Sequence, residues 1–180
     1  TEIIPQIDLR MILGLYAGVR PIKLLPGAFT PLKDDRARKL DFVIVRESTE
    51  GLFARMHEGK IEDDRIAEDR LIITRKTSER LFDYSFKLAR HRKSLGYLGK
   101  VTCVDKANVF KSMAFFRNIF EERAKAFPDI LNDKQYVDAA ALNFVRNPWD
   151  FDVVVTENMF GDILSDLGAG LIGGMGMAPS

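Results

Sequence analysis

The chain has 180 residues, 46% hydrophobic and 29% charged, which is the composition of a globular protein with enough apolar material for a core and excludes a disordered chain. Lys and Arg number 27 against 26 Asp and Glu, so a net charge of +1 gives no electrostatic case for nucleic acid or an anionic membrane, and no apolar run is long enough to cross a bilayer. The single cysteine, Cys103, rules out an internal disulfide and fits a reducing, cytoplasmic compartment.

The chain opens at Thr1-Glu2-Ile3 without an initiator Met or a signal-like stretch, and it stops at Ala178-Pro179-Ser180 after a glycine-rich run. That pattern reads as a piece of a longer polypeptide, which leaves room upstream for a targeting segment. Between Ile7 and Val19, Leu9, Ile12, Leu13, Tyr16 and Val19 fall near helical spacing, which predicts a helix carrying Arg10, with Arg20 at its end and Pro21 as its stop. Ile22 to Leu25 reads as a short strand closed by Pro26-Gly27. Asp41 to Arg46 is a β-branched apolar strand that delivers Arg46 and Glu47 at its exit.

Gly51 to Arg70 is too polar for a core and predicts a protruding loop or two-stranded arm, from which Leu71-Ile72-Ile73 returns. Thr77 is the expected N-cap of a helix with Leu81, Tyr84, Ser85, Leu88 and Ala89 on one face and a basic end, Arg90 to Lys93. Lys100 to Val104 is a strand emptying into Asp105-Lys106-Ala107-Asn108, and a long helix through Phe116, Ile119, Phe120, Arg123 and Phe127 follows, ending before Pro128. Gln135 to Val137 reads as a short strand ending at Asp138, the expected cap of a helix over Ala139 to Val145. The apolar run Phe151 to Val155 and the turn Thr156-Glu157-Asn158 then lead into a last helix. Strands alternating with helices predict an α/β fold, a mixed or parallel sheet with flanking helices.

On that last helix Asp162 and Asp166 stand one turn apart on one face. Like charges at this spacing repel, so the pair is either a solvated acidic face or a site for a hard divalent cation such as Mg²⁺ or Mn²⁺. Four predicted strands end in a polar group of chemical interest: Arg46, Lys106, Asp138 and the turn leading to Asp162 and Asp166. Ligands of open α/β sheets gather outside the carboxyl ends of strands, so the shared position suggests an anionic substrate clamped by arginines, a metal on three aspartates and a lysine for proton transfer.

Three blocks, Val104-Asp105-Lys106-Ala107-Asn108, Tyr136-Val137-Asp138-Ala139 and the run from Thr156 to Asp166, resemble the signatures of the metal-dependent β-decarboxylating dehydrogenases, the isocitrate/isopropylmalate dehydrogenase family. Leu9-Arg10, Val19-Arg20-Pro21 and Val45 to Gly51 extend the likeness over nearly the whole chain, with an isopropylmalate dehydrogenase-like pattern favoured. The resemblance implies that Arg10, Arg20 and Arg46 clamp the substrate, that Asp138, Asp162 and Asp166 are metal ligands, and that Asn108 and Asn158 lie near a bound NAD or NADP. It also implies that Lys106 and Asp138 are catalytic groups supplied by the neighbouring subunit of a homodimer clasped through the arm, at about residues 51–73. Residues 1–25 would then belong to the cofactor domain and the start of the interface domain, 26–150 to the substrate and interface domain, and 151–180 to the metal-site helix returning to the cofactor domain.

Two departures bear on function. The family's tyrosine seven residues after the third arginine, the expected proton donor, is Phe53 here. Isocitrate-type members carry Ser and Asn six and four residues before the first arginine, where this chain has Ile4 and Gln6; with Ile3 and Ile7 these favour an apolar substituent on the substrate. The tail Gly173 to Ser180 looks closer to isocitrate-type members, so isocitrate, tartrate and D-malate remain alternatives. Phe53 also motivates a reading of another class, a non-catalytic regulatory partner subunit, and an α/β domain without a ligand is the third.

Overall fold

The computed structural model describes residues 5–178, with the backbone alone over 5–8, so Ile3 and Ile4 and the side chains of Gln6 and Ile7 lie outside the description. Its centre is a five-stranded sheet in the order β1-β2-β7-β5-β6. Here β1 is Ala17–Lys23, β2 Asp41–Glu47, β5 Lys100–Asp105, β6 Leu131–Tyr136 and β7 Val153–Thr156. Strands β2, β7, β5 and β6 run parallel and β1 is antiparallel on the edge beside β2. The sheet is mixed and flanked by helices, as expected.

The inner strands are almost wholly apolar because both faces are covered. Val43, Val45, Val101, Cys103, Val153 and Val155 pack under α2 (Arg75–Ser94) and α3 (Lys111–Ala124). Alternate residues Phe42, Ile44, Val104 and Val154 pack on the other face under α4 (Val137–Arg146) and α5 (Asn158–Leu171). Strands β1 and β7 share this sheet with β2 and β5.

The amino-terminal prediction needs correction. Helix α1 is Pro5–Leu13, ended by Gly14 at a φ of 60°, and Tyr16, Val19 and Arg20 belong to a turn and to β1. Glycine reaches this left-handed backbone without a steric penalty, and that stop signal outweighs the apolar period that runs through it. Pro21 lies inside β1, tolerated because the strand is an edge.

Other boundaries shift by a few residues. Thr74, not Thr77, caps α2, its hydroxyl accepting the Thr77 N–H, and α3 ends at Ala124 although Phe127 stays buried. Strand β6 begins four residues before the expected one, and Asp138 lies in the first turn of α4 rather than capping it. The excursion after β2 does form a two-stranded arm, β3 (Lys60–Glu62) and β4 (Ile66–Glu68), turning at Asp63 and Asp64 with φ of 50° and 56°.

Candidate active site

The parallel strands place Arg46, Lys106, Asp138 and the start of α5 along one edge of the sheet. Register does the rest on the β1 side. Gly18 pairs with Arg46 and Arg20 with Ile44, so Gly18, Arg20 and Arg46 share the sheet face that α5 covers. Arg10 at the end of α1 joins Arg20 in a cleft of about 420 Å³ lined also by Leu9, Leu15, Gly18 and Ser48.

Arg46 is buried and three of its five N–H groups are engaged: Nε and Nη2 donate to Asn158 Oδ1 at 2.9 and 2.8 Å. Nη1 donates to Asp162 Oδ1. Asn158 in turn donates Nδ2 to the Glu50 carbonyl at 2.9 Å, so its amide links Arg46 to the turn after β2. Gly161 makes this possible, since a Cβ there would stand 2.6 Å from Arg46 Cγ. Helix α5 opens on the buried Glu157, whose carboxylate accepts the Met159 and Phe160 N–H groups at 3.1 and 2.6 Å.

The electrostatics follow from this crowding. Burial lowers the Arg46 pKa, with Asp162 acting against it and Arg10 and Arg20 adding repulsion. Burial also lowers that of Arg20, with Arg10 adding to the effect while Asp162 and Asp166 oppose it. Three guanidinium groups thus share a face with two carboxylates, and an anionic ligand relieves their mutual repulsion. The ring of Phe53 lies 5.3 Å from the Arg46 guanidinium, so this position touches the same cluster without a hydroxyl.

A second group stands apart on β5 and β6. Lys106 Nζ donates to Asp138 Oδ1 at 2.7 Å, and this contact holds the exposed Asp138 carboxyl below its usual range. Among the described residues no three His, Cys, Asp or Glu side chains gather closely enough to hold a metal ion. The three aspartates expected to converge therefore do not meet within one chain: Asp162 and Asp166 stay on α5, while Asp138 is held by Lys106. Asn108 is exposed in the turn after Lys106, and Asn158 is committed to Arg46 and Glu50. Glu157, Glu50 and Gly161 lie within the motif blocks but carry no individual role that their sequence position reveals, save that a carboxylate directly before a helix start signals a cap at Glu157.

Two buried carboxylates at this edge set an expected pH dependence. Glu47, accepting from Thr49 and Glu50 N–H groups at 2.6 and 2.7 Å, and Glu157 are both pushed up by burial, against those hydrogen bonds. The folded state then holds protons that the unfolded chain releases above about 4.3, so stability declines as pH rises from there through their raised values. Asp41 behaves oppositely. Burial pushes it up, but hydrogen bonds from Lys23 and Tyr97 and the Arg92 charge pull it below its usual value. Its stabilisation is present above about 3.9 and is lost as pH falls through the lowered value. Thermal midpoints taken from about pH 3 to about pH 8 should rise and then decline gently, with the decline shallower in Glu157→Gln. A midpoint that climbs steadily to neutrality would contradict this.

Fold and site together define an open-sheet α/β protein with its cluster of charged groups outside the carboxyl ends of the strands, where ligands of such sheets gather. The chain belongs to the isocitrate/isopropylmalate dehydrogenase family, whose model matches residues 4–180. It is 46% identical over 175 residues to the 3-isopropylmalate/3-methylmalate dehydrogenase of Methanocaldococcus jannaschii, covering 97% of this chain and 50% of that protein. Identity is also 46% to the 3-isopropylmalate dehydrogenase of Listeria innocua, over 96% of this chain and 48% of the relative. Among solved structures, the isocitrate dehydrogenase from Methylococcus capsulatus superposes with a TM-score of 0.85 at 44% identity, covering 96% of this chain and 49% of that one. The chain thus spans about half the length of the relatives it matches.

Proposed function

We propose that this chain supplies the substrate- and metal-binding part of an NAD- or NADP-dependent dehydrogenase that oxidises and decarboxylates a 2-hydroxy dicarboxylic acid, with an isopropylmalate-like substrate. The observation that carries this is that Arg10, Arg20 and Arg46 lie within electrostatic reach of one another and of Asp162 and Asp166, in a chain whose relatives bear isopropylmalate dehydrogenase names. Two oxygen donors one turn apart, Asp162 half-exposed and Asp166 exposed, suit Mg²⁺ or Mn²⁺, yet the neighbouring guanidinium groups repel a bare cation. The set therefore fits a divalent ion that arrives with a carboxylate ligand, and Asp138 of a second subunit completes it.

A bound divalent ion supplies Lewis-acid polarisation of the substrate hydroxyl, and the nicotinamide supplies a hydride acceptor. The arginines hold the substrate carboxylates. Lys106 handles the hydroxyl proton at Nζ, directly or through one water, as hydride leaves the same carbon. The β-keto acid formed then loses CO₂, and water or another group returns the proton to carbon, because Phe53 has none to give. Lys106 and Asp138 serve the partner's cleft in a cytoplasmic homodimer joined through the arm; Asn108 and, after exchanging a hydrogen bond, Asn158 face the nicotinamide. Residues 1–25 and 151–180 join a cofactor domain and 26–150 form the interface domain.

Isocitrate is the alternative substrate, supported by the likeness to the Methylococcus enzyme. A non-catalytic regulatory subunit is the second reading, favoured by the Phe53 ring against Arg46. The natural full-length polypeptide, purified and assayed with Mn²⁺, should reduce NAD or NADP with isopropylmalate faster than with isocitrate, D-malate or tartrate. Asp162→Asn should lower turnover at least 10²-fold, since it removes a charged metal donor. Absence of turnover with every acid, restored by Phe53→Tyr, would favour the regulatory reading.

A further inference from the structure

Arg117 lies inside α3 and touches neither the arginine cleft nor the acidic face of α5, yet it grips both strands that carry the Lys106–Asp138 pair. Its Nε and Nη2 donate to Asp105 Oδ2 and Oδ1, each at 2.8 Å, in a bidentate fork that fixes the plane of a fully buried carboxylate. The same Asp105 Oδ1 accepts the Ala107 N–H at 2.8 Å. That bond closes a turn around Lys106, so the direction in which the lysine leaves β5 depends on how Asp105 is held.

On the other strand, the Arg117 guanidinium stacks on the Tyr136 ring, 4.8 Å from its centroid. Tyr136 is the register partner of Asp105 and the last residue of β6, two residues before Asp138. Lys106 Nζ lies 5.9 Å from that ring and 2.7 Å from Asp138. One side chain thus ties the base of the lysine to the base of its carboxylate partner. A residue needed only to neutralise Asp105 would not require the second contact.

We infer that Arg117 is a positioning residue for Lys106, clipping the ends of β5 and β6 so that the amine is presented in one direction; the inference rests on Lys106 being the proton-transfer group. Arg117→Lys keeps the charge but loses the fork and the planar stack. Misplacing a reacting group by an ångström costs about 10²-fold, so this variant should lower kcat by about 10- to 100-fold. KM should stay within about twofold, because the substrate clamp lies elsewhere.

The test uses the natural full-length polypeptide with Mn²⁺ and its preferred 2-hydroxy acid, comparing Arg117→Lys, Tyr136→Leu, Lys106→Ala and the double variant Lys106→Ala/Arg117→Lys. Backbone hydrogen exchange in peptides spanning Asp105 to Asn108 should quicken in Arg117→Lys while β7 stays protected. With Lys106 absent, the arginine change should cost less than about threefold, since its effect passes through the lysine. Tyr136→Leu alters a partly exposed ring and should fold normally while losing about three- to tenfold in kcat.

A kcat for Arg117→Lys within about twofold of the parent, or an equal loss with and without Lys106, overturns the inference. Should Arg117→Lys fail to fold, Tyr136→Leu decides, and an unchanged kcat there overturns it. Should Lys106→Ala leave turnover intact, the proton-transfer assignment falls instead. The exchange of the Ala107 amide then still reads whether Arg117 orders the segment, and an unchanged rate overturns that.

Discussion

Asp152→Ala should lower stability by about 3 to 5 kcal/mol, the cost of leaving three buried donors without their charged acceptor. Asp152 is 1% exposed, and one of its oxygens accepts from Arg92 Nε at 2.5 Å. The other accepts the Gly99 and Lys100 N–H groups at 2.7 and 3.1 Å. Arg92 also donates to the Asp41 side chain and carbonyl, and Asp41 accepts from Lys23 and the Tyr97 hydroxyl. The cluster joins β1, β2, β5 and β7 to the end of α2, at the edge of the sheet opposite the candidate site. Removing Asp152 leaves Arg92 Nε and two backbone donors without an acceptor at once, although Asp41 still holds the rest of the guanidinium. At about 2 to 4 °C per kcal/mol for a chain of this size, the thermal midpoint should fall by about 6 to 20 °C. The matching exposed pair, Arg38 and Asp35 with 78% and 93% of their side chains accessible, serves as control: Asp35→Ala should change stability by less than about 0.5 kcal/mol. A loss below about 1 kcal/mol for Asp152→Ala would refute the account.

None of that cluster was visible in the sequence, where Asp41, Arg92 and Asp152 are charges at element ends, separated by 51 and 60 positions. What was visible is what depends on neighbours along the chain. The runs in β2, β5 and β7 are β-branched and apolar because both faces are buried, so their existence needed no knowledge of topology. The arm was legible for the opposite reason, a polar stretch that no core would accept. Errors fell where a short-range exception outweighs a period. Gly14 ends α1 in mid-pattern, and an edge strand accepts Pro21, which in a central strand would be excluded.

The candidate site divides along the same line. Arg46, Lys106, Asp138, Asp162 and Asp166 could be picked out because strand ends of an α/β sheet collect function, and all lie at the carboxyl edge of the sheet. Their grouping could not. The register of β1 on β2 turns Arg20 and Arg46 to the α5 face, while β6 lies at the far side of the sheet and carries Asp138 to Lys106. Long-range register is set by the whole sheet, and one sequence does not contain it in readable form.

The strongest consequence of that register lies at Arg46. Arg46→Lys should lower kcat/KM by about 2 to 4 kcal/mol of transition-state stabilisation, roughly 30- to 1000-fold, even though the charge is retained. Three donors of one planar fork serve Asn158 and Asp162 together, and an ammonium on a flexible stem reaches one of them at a time. The Asn158 amide oxygen would lose its two charged donors in a buried position, which costs about 1 to 3 kcal/mol of stability. Asp162, released from the guanidinium, would be free to rotate away from the face it shares with Asp166. The loss should therefore appear in KM for the substrate with Mn²⁺ and in kcat together, with a lowered melting temperature. Steady-state kinetics beside a thermal melt separate the two effects. Parent-like kcat/KM in a variant that melts early would mean that Arg46 holds the fold and not the substrate.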